Sequence, residues 1–489
     1  MAKQDTIHLW IGNQEVTSAI KFAVVNAETG KVVHDAYGAT PDIAVQAVES
    51  AEEAFWKWRD TDPWYRRKLL LDAANYLESK RDEVSALIAL ETPVPEAMAG
   101  AINIDNSINM LTELASALPL LTNGVLPHTR HPNTMAMIVK EPYGVHLGIA
   151  PWNASLLLAI RSVLTPIACG NTAVLKASEL SPGIHQFIGR MLAEVGFPPG
   201  VLNIIQHRRE DAVGVVEALV AHPAVRKVNF TGSTSVGKAI ASLAGRYCKP
   251  TLMELGGKAP QIVLTDADLD KAASAAAHGA LFHHGQICMA TDKVIVHQSI
   301  ADDFTARLAE KVSQWPMTSA VTEAGAAKTE ALVREALDQG AVNVTSSKLA
   351  TNGTDKRVAT EVFKHPAQLH PTVLTGVTPS MRLYSEESFG PTVSVHTFQT
   401  EEEAIKLANE SEYGLSAAIF TKDIARAIWM ARKITSGAVH INGNTIHDEP
   451  QLPHGGMKSS GWGRFGVPWA FDEFLQLKTI TIASDSLSP

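Results

Sequence analysis

The chain has 489 residues, too many for one hydrophobic core, so two or three domains are expected. Its 51 acidic residues outnumber its 42 basic ones and give a net charge of −9. Binding to phosphate backbones requires an extended basic face, and no run of Lys and Arg suggests one. Nucleic acid is therefore not an expected partner.

The three cysteines, Cys169, Cys248 and Cys288, are too few for a disulfide framework and have no CxxC spacing. Their small number favours a reducing compartment. The first residues lack the basic and apolar pattern of a secretory signal, and no apolar stretch reaches the length of a membrane span. A cytoplasmic protein without a membrane partner is therefore expected.

Strand and helix patterns alternate through the first half of the chain. Two helical stretches, Pro41–Trp58 and Trp64–Leu90, follow short strands. From Met135 onward the alternation is regular, and it predicts a parallel sheet with helices on both faces. The candidate strands are Val145–Ile149, Thr172–Leu175, Val201–Ile205 and Lys227–Phe230, and the candidate helices are Ala154–Ala168, Gly183–Val195, Asp211–Leu219 and Thr234–Ala244.

A second strand-helix series follows Cys288, so a second α/β domain is predicted to begin near residue 257. The polar segment Ser346–Arg357 is predicted to be a surface loop. The alternating tail 475–482 needs a partner sheet, for which another subunit is one candidate. The candidate elements of this series are strands Lys293–His297, Thr392–Phe398, Ser416–Phe420 and Gly437–Ile441, and helices 300–314, 326–339, Glu401–Asn409 and Asp423–Lys433.

A cysteine and a glutamate, each in a short Gly-containing segment, suggest acyl chemistry through a thioester. Cys288 lies in GQICMA and Glu254 in MELGGK. A thiolate can attack a carbonyl carbon, and a carboxylate can later activate water. The alternatives are a buried small hydrophobic residue for Cys288 and a strand-end carboxylate paired with Lys258 for Glu254.

Two further segments, PWN at 151–153 and FTGSTSVG at 230–237, complete a set of four in one order. The set resembles the aldehyde dehydrogenase superfamily. The resemblance implies an α/β fold with two Rossmann-type parallel-sheet domains and a small β oligomerisation element. It assigns residues 1–118 and 143–256 to NAD binding, 257–459 to catalysis, and 119–142 with 460–489 to oligomerisation. A homodimer or homotetramer assembled through the C-terminal strand is implied.

The resemblance also implies catalytic roles for Cys288, Glu254 and Asn153. The Asn153 amide and the backbone N–H of Cys288 would stabilise the oxyanion, although Asn153 could instead be a turn residue or helix N-cap. Glu254 would activate the water that hydrolyses the thioester. Branches of the superfamily that transfer the acyl group to coenzyme A generally lack this glutamate, so a free acid is the expected product.

The cofactor segment is not the usual dinucleotide fingerprint, because GxGxxG is absent. Gly232 and Gly237 instead bracket the start of a predicted helix, whose N-terminus can face a pyrophosphate. By the same resemblance, Lys176 and Glu179 hold the adenosine ribose of the cofactor. The Glu179 carboxylate would repel a 2′-phosphate on that ribose, so the cofactor NAD is expected, with NADP possible. At position 235 this chain has Ser, where members of the superfamily commonly have an acidic residue. By resemblance, the cofactor-binding residues are Ile149, Trp152, Lys176, Glu179, Gly232, Ser233, Gly237, Leu255, Glu387 and Phe389.

The segment VHINGNTIHDEP, residues 439–450, looks like the branch that contains salicylaldehyde, benzaldehyde and vanillin dehydrogenases. His454 stands where the family usually has Phe and is a candidate substrate residue. Arg161, in an otherwise apolar helical stretch, is predicted to contact a polar ring substituent; a structural ion pair is the equal alternative. His440, His447 and His454 recur every seven residues, which suits no common zinc pattern, so no metal is expected.

The sequence therefore predicts NAD-dependent oxidation of an aromatic aldehyde, of the salicylaldehyde or vanillin kind, to its carboxylic acid through a Cys288 thiohemiacetal and thioester. The aldehyde is the only small-molecule partner expected besides the cofactor. One alternative is a coenzyme A-acylating aldehyde dehydrogenase, which product analysis with and without coenzyme A would identify. Another is a catalytically silent binding or structural relative, which an aldehyde-dependent NADH signal would exclude.

Overall fold

The computed structural model describes residues 6–94, 99–345 and 365–483, so the predicted loop Ser346–Arg357 lies outside the described residues. The strands are, in chain order, β1 (Thr6–Ile7), β2 (Leu9–Ile11), β3 (Gln14–Val16), β4 (Ile20–Asn26), β5 (Lys31–Gly38), β6 (Thr134–Pro142), β7 (Val145–Ile149), β8 (Thr172–Lys176), β9 (Leu202–Ile205), β10 (Val225–Thr231), β11 (Thr251–Glu254), β12 (Ala259–Val263), β13 (Thr291–His297), β14 (Thr318–Ser319), β15 (Val342–Asn343), β16 (Gln368–Leu369), β17 (Thr372–Thr375), β18 (Thr392–Phe398), β19 (Ser416–Phe420), β20 (Ala438–Ile441), β21 (Gly461–Trp462) and β22 (Leu475–Ala483).

The α-helices of the same residues are α1 (Pro41–Trp58), α2 (Pro63–Ser79), α3 (Arg81–Glu91), α4 (Asn106–Leu121), α5 (Ser155–Ala168), α6 (Pro182–Glu194), α7 (Ala212–Ala221), α8 (Thr234–Arg246), α9 (Leu269–Leu281), α10 (Ala301–Ser313), α11 (Glu323–Asp338), α12 (Arg382–Ser385), α13 (Glu401–Asn409), α14 (Ile424–Ala431) and α15 (Phe471–Phe474). Across the described residues, no helix has both the length and the apolar character that crossing a bilayer requires.

An eight-stranded sheet has the order β21-β11-β10-β7-β8-β9-β2-β3. Its five middle strands pair in parallel, and β21, β2 and β3 add antiparallel edges. Alternate side chains of β8 enter different hydrophobic clusters: Leu175 packs with Leu164 of α5, and Val174 packs with Val48 of α1. The prediction of a parallel sheet covered by helices on both faces is confirmed.

A seven-stranded sheet follows, with the order β15-β17-β18-β13-β12-β19-β20. All its pairs are parallel except the pair between β15 and β17. The change from one sheet to the other falls between Glu254, where β11 ends, and Ala259, where β12 begins. The predicted α/β class with two parallel-sheet units is confirmed.

The parallel strands of the eight-stranded sheet finish at one edge. Ile149, Lys176, Thr231 and Glu254 are the last residues of β7, β8, β10 and β11. Ligands of open parallel sheets bind outside the carboxyl ends of the strands. The fold therefore carries several of the predicted site residues to one edge.

One prediction about elements was wrong. The stretch Trp64–Leu90 is two helices, because Lys80 leaves the helical conformation at φ −110° and ψ 14°. The partner that the terminal strand needs lies in the same chain, because β22 pairs antiparallel with β6 along its whole length. Strand β21, at the start of the segment 460–489, pairs with β11 in the eight-stranded sheet.

Candidate active site

Cys288 lies in a tight loop between a 3₁₀ turn, Phe282–Gly285, and strand β13. His283 and His284 have φ of 51° and 59°, a left-handed conformation that is costly for side chains with a Cβ. The loop also packs closely on the segment after β11. A Cβ on Gly257 would lie 2.1 Å from the carbonyl oxygen of Cys288. Glycine at 257 therefore permits the approach of the two motif segments.

The thiol of Cys288 lies in an acidic environment. Cys288 and Glu254 are brought together with His454, and the sulfur, carboxylate oxygen and ring nitrogen all lie within 4.8 Å of one another. Burial and the Glu254 carboxylate raise the pKa of the Cys288 thiol well above its usual range, and Arg161 opposes this shift. The free protein therefore holds Cys288 as a thiol, with Glu254 the nearby carboxylate that can accept its proton.

Glu254 is only 1% exposed at the carboxyl end of β11. Its carbonyl oxygen accepts a hydrogen bond from Gly232 N–H at 3.1 Å, which links β11 to the turn before α8. The alternative pairing of Glu254 with Lys258 does not occur, because Lys258 Nζ lies 2.9 Å from Asp292. The Glu254 carboxylate therefore makes no ion pair with Lys258 and lies in the cleft that contains Cys288.

Asn153 faces the loop that carries the thiol. Its Nδ2 donates a hydrogen bond to the carbonyl oxygen of Gln286 at 3.0 Å, two residues before Cys288. Helix α5 begins at Ser155 and its N-cap is Ala154, so Asn153 does not cap the helix. The amide is therefore in reach of the segment where an oxyanion would form.

Arg161 is buried and forms an ion pair with Asp448, a residue that was not predicted from the sequence to be its partner. Its Nη2 lies 2.6 Å from Asp448 Oδ2. Burial alone would raise the pKa of Asp448, but Arg161 and His454 hold that pKa well below its usual range. The structure thus shows the ion pair that was the alternative for Arg161; the contact with a ring substituent stays a prediction. The sequence signal for this ion pair was an arginine in an otherwise apolar helical stretch, because a buried guanidinium needs an acceptor.

His454 lies between two carboxylates. Its Nδ1 is 3.4 Å from Asp448 Oδ2, and its Nε2 is 3.5 Å from Glu254 Oε1. Burial lowers the pKa of His454, but the Asp448 charge and the contacts with Asp448 and Glu254 together outweigh burial and raise that pKa to about 9. His447, by contrast, is exposed and pairs with Glu449. The described chain thus contains a continuous charged series, which consists of Arg161, Asp448, His454 and Glu254.

A narrow pocket reaches this series from the surface, and Arg161 and Asp448 lie in its wall. Its other lining residues are Asn106, Met110, Leu157, Glu449, Pro450 and Gly466. The pocket is mainly apolar with a few polar groups, as is usual for small-molecule sites. It offers an aldehyde a path toward the charged series.

Replacing Arg161 with Leu should destabilise the fold. The change leaves the Asp448 carboxylate, whose side chain is 19% exposed, without its cationic partner. Removing one member of a buried pair typically costs about 3–5 kcal/mol, and the remaining His454 contact places this case near the lower value. Urea unfolding would measure the loss, with the double change Arg161→Leu and Asp448→Asn as the control that removes both charges. An unchanged unfolding midpoint for the single variant would contradict the assignment.

The predicted cofactor residues form two groups. Lys176 ends β8 with Glu179 shortly after it, and burial lowers the pKa of Lys176 against the charge of Glu179. Gly232 and Ser233 lead into α8, which begins without a side-chain cap. A Cβ on Gly237 would lie 2.3 Å from Leu255, so this glycine lets α8 pack on the residue after Glu254. The helix N-terminus is open to an anionic group.

The second group borders the Cys288 loop. Glu387 Oε1 accepts a hydrogen bond from Gly257 N–H at 2.8 Å, and burial raises the pKa of Glu387 to about 7. The rings of Trp152 and Phe389 meet edge-on, with centroids 5.8 Å apart and planes at 81°. Phe389 has φ 51°, an unusual conformation held beside the site. These residues surround the approach to the thiol.

Comparison with known proteins agrees with this arrangement. The family model for the aldehyde dehydrogenase family matches residues 13–480. A vanillin dehydrogenase from Pseudomonas fluorescens is 44% identical over 467 residues, which cover 94% of this chain and 93% of the relative. The crystal structure of a salicylaldehyde dehydrogenase from Pseudomonas putida G7 with salicylaldehyde superimposes with a TM-score of 0.92 at 36% identity, over 99% of both chains.

A betaine aldehyde dehydrogenase variant from Staphylococcus aureus, solved with NAD+, superimposes with a TM-score of 0.91 at 32% identity and 98% coverage of both chains. The family match and the relatives extend over nearly all of the described sheets, and they include the segments that carry Cys288, Glu254 and Asn153. The resemblance to a branch with vanillin and salicylaldehyde dehydrogenases is confirmed. The chain therefore belongs to the aldehyde dehydrogenase family and is an aldehyde-oxidising oxidoreductase that uses NAD(P).

Proposed function

We propose that this chain oxidises an aromatic aldehyde to its carboxylic acid with NAD as the acceptor. The observation that carries the proposal is the placement of the Cys288 thiol and the Glu254 carboxylate within 4.8 Å of each other, beside the charged series whose Arg161 and Asp448 line a mainly apolar pocket. The aromatic substrate is supported by the 44% identity to a vanillin dehydrogenase and the TM-score of 0.92 to a salicylaldehyde dehydrogenase. Substituted benzaldehydes are therefore the class to test.

In the proposed reaction Cys288 is the nucleophile. Glu254 accepts the thiol proton, and the sulfur adds to the aldehyde carbon to give a thiohemiacetal oxyanion. The Asn153 amide and the backbone N–H of Cys288 donate hydrogen bonds to that oxygen. Departure of a hydride from the same carbon leaves a thioester on Cys288. Glu254 next loses the thiol proton to solvent and, as a carboxylate again, deprotonates a water molecule. That water attacks the thioester, and the acid leaves as the Cys288 sulfur is released.

The residues at the strand ends fit a nicotinamide dinucleotide. Lys176 and Glu179 would hold the adenosine ribose, and Gly232 with Ser233 would place the uncapped start of α8 at the pyrophosphate. Glu387 and Phe389, with Trp152, would bind the nicotinamide riboside. Ile149, Gly237 and Leu255 complete the predicted set at the same edge of the sheet. When bound, the cofactor supplies the hydride acceptor.

Replacing Glu179 with Ser should shift cofactor preference toward NADP. The partly exposed Glu179 carboxylate follows β8, where a 2′-phosphate on the ribose would meet its negative charge. The ratio of kcat/KM for NADP to that for NAD should rise about tenfold or more, as expected for removing a repulsive contact of roughly 1.4 kcal/mol. Steady-state kinetics with both cofactors would measure it, with Glu194→Ser at the end of α6 as a control. A wild-type protein that already prefers NADP would refute the assignment.

We also propose a domain arrangement in which 1–118 and 143–256 bind NAD, 257–459 carry Cys288, and β6 with β22 makes the subunit contact. An isolated two-stranded sheet is marginally stable in water, and the outer edge of β22 pairs with no other strand of the described residues. Leu477 is 70% exposed there, and Ile480 and Ile482 are each 38% exposed. A homodimer or homotetramer would bury these side chains.

Deleting the residues after Leu475 should break the assembly. The deletion removes both the exposed edge and its apolar side chains, so light scattering should show a monomer in place of a dimer or tetramer. Lys478→Gln, which removes only the charge that contacts Glu141, is the control and should keep the assembly. A truncated protein of unchanged mass would mean that the interface lies elsewhere.

A panel of aromatic and aliphatic aldehydes, followed by NADH absorbance, tests the proposed function. Vanillin, salicylaldehyde and benzaldehyde should give higher kcat/KM than aliphatic aldehydes of similar size. The opposite order would reject the aromatic assignment while leaving aldehyde oxidation in place. We also propose a cytoplasmic location, since all three cysteines are free thiols; fractionation of the native cells tests it.

A further inference from the structure

We propose that Cys288, Glu254 and His454 form an inhibitory site for zinc or a similar divalent cation. The three residues offer a thiolate sulfur, a carboxylate oxygen and an imidazole nitrogen, which are the three ligand types that Zn²⁺ binds in proteins. Their ligand atoms all lie within 4.8 Å of one another. The site would tie up the Cys288 sulfur, so occupied enzyme could not attack an aldehyde.

The separations are close to those of a zinc centre. Zn–S bonds of about 2.3 Å and Zn–N or Zn–O bonds of about 2.0 Å place neighbouring tetrahedral ligands about 3.3–3.6 Å apart. His454 Nε2 and Glu254 Oε1 are already 3.5 Å apart. The Cys288 sulfur lies within 4.8 Å of both atoms, so a side-chain rotation can bring it to ligand distance. Three protein ligands leave a fourth position for water.

Two buried polar atoms in this cleft face each other at 3.5 Å, beyond the length of a good hydrogen bond. Within the part of the chain that the structure describes, neither His454 Nε2 nor Glu254 Oε1 makes a hydrogen bond. The two residues are only 7% and 1% exposed, so bulk water does not replace the missing contacts. Unsatisfied buried groups call for an explanation such as an ion. A cation at this point would satisfy both atoms together.

The surroundings of His454 match those of a zinc ligand. Its other ring nitrogen, Nδ1, lies 3.4 Å from Asp448 Oδ2, and a carboxylate behind a ligating histidine fixes the ring orientation. Arg161 holds that carboxylate in turn at 2.6 Å. The carboxylates of Glu254, Asp448 and Glu387 lie around Arg161 and His454. Metal binding would release the protons of His454 and Cys288, and the divalent cation would balance the negative charge that this leaves.

The balance of the binding step is simple. The Cys288 thiol and His454 Nε2 each give up a proton to solvent, and both atoms then donate electron pairs to the metal. His447 and His440 take no part, since His447 is paired with Glu449 and stacks edge-on against His440 at 5.2 Å. Of the three histidines that recur every seven residues in the sequence, only His454 therefore belongs to the proposed ligand set.

Metal binding is measured on the whole protein without aldehyde or NAD, so failure of the proposed reaction does not affect the result. Chelator-treated protein should take one Zn²⁺ per chain in competition with a chromophoric chelator. Co²⁺ in place of Zn²⁺ should give a sulfur-to-metal charge-transfer band. Added Zn²⁺ should also protect Cys288 from alkylation by iodoacetamide, with the modified residue identified by peptide mapping.

The variant His454→Phe removes one ligand and keeps the ring volume. Loss of a residue that only hydrogen-bonds to a metal ligand typically costs about 10–100-fold in metal affinity. Loss of His454, a direct ligand, should therefore weaken Zn²⁺ binding at least tenfold and abolish the protection of Cys288. His447→Ala, at an exposed histidine nearby, should bind as the wild type does. If His454→Phe does not fold, as shown by its thermal unfolding, His454→Gln replaces it. Equal affinity in wild type and the His454 variant, or a Co²⁺ complex without the band, would overturn the proposal.

Discussion

The variant Cys288→Ala should lose aldehyde oxidation by at least about 10⁴-fold in kcat, as expected when a covalent nucleophile is removed. Its affinity for NAD should stay within about twofold of wild type, because the cofactor groups at the strand ends are untouched. Alanine at 288 also leaves a smaller side chain in a loop whose backbone is fixed by its contact with Gly257. The measurements are steady-state kinetics with benzaldehyde and calorimetric titration with NAD.

Cys248→Ala is the matched control for this variant. Cys248 is an exposed free thiol, so its removal should change neither activity nor cofactor affinity. Residual turnover in Cys288→Ala above a few parts in 10⁴ would overturn the thioester mechanism. Loss of NAD binding in the same variant would instead indicate a folding defect.

Glu254→Gln should separate the two halves of the reaction. The amide keeps the size of the side chain but cannot remove a proton from water, so the thioester should persist and steady-state kcat should fall about 10²–10⁴-fold. The change also removes the carboxylate charge that helps to raise the pKa of Cys288, although burial still raises it. At strongly alkaline pH, where the thiolate forms without a base, stopped-flow absorbance should show an NADH burst near one equivalent per active site. The slow phase after the burst would report hydrolysis without its base.

Glu402→Gln serves as the control for that change, because Glu402 is exposed in the first turn of α13 and belongs to no predicted site segment. It should show wild-type turnover without a burst. A Glu254→Gln protein with full turnover would place the base elsewhere. A variant with neither burst nor turnover at strongly alkaline pH would contradict the expectation that hydroxide can replace Glu254 as the acceptor of the thiol proton.

Local patterns predicted much of this fold. Thr392–Phe398, Glu401–Asn409 and Ser416–Phe420 have the predicted limits, because buried parallel strands are apolar runs and their helices begin at polar caps. The catalytic motifs were also readable, since each combines a reactive side chain with glycines in a fixed order. Their meeting at one edge follows from the parallel sheet.

Contacts between distant segments could not be predicted in the same way. The resemblance grouped 119–142 with 460–489, but neither β6 nor β22 carries a local signal of the register in which the two strands pair. Asp448 likewise meets Arg161 across a long stretch of chain. The sequence called for an acceptor near Arg161 but offered many acidic residues. Only the packed structure selects Asp448 and places His454 between it and Glu254.

The central claim is that an aromatic acyl group passes through the sulfur of Cys288. The most direct measurement is mass spectrometry of Glu254→Gln protein quenched in acid after mixing with benzaldehyde and NAD. The intact chain should gain one benzoyl group, and peptide mapping should place it on Cys288. An unmodified chain at a time when NADH has already formed, or a benzoyl group on another residue, would contradict the account.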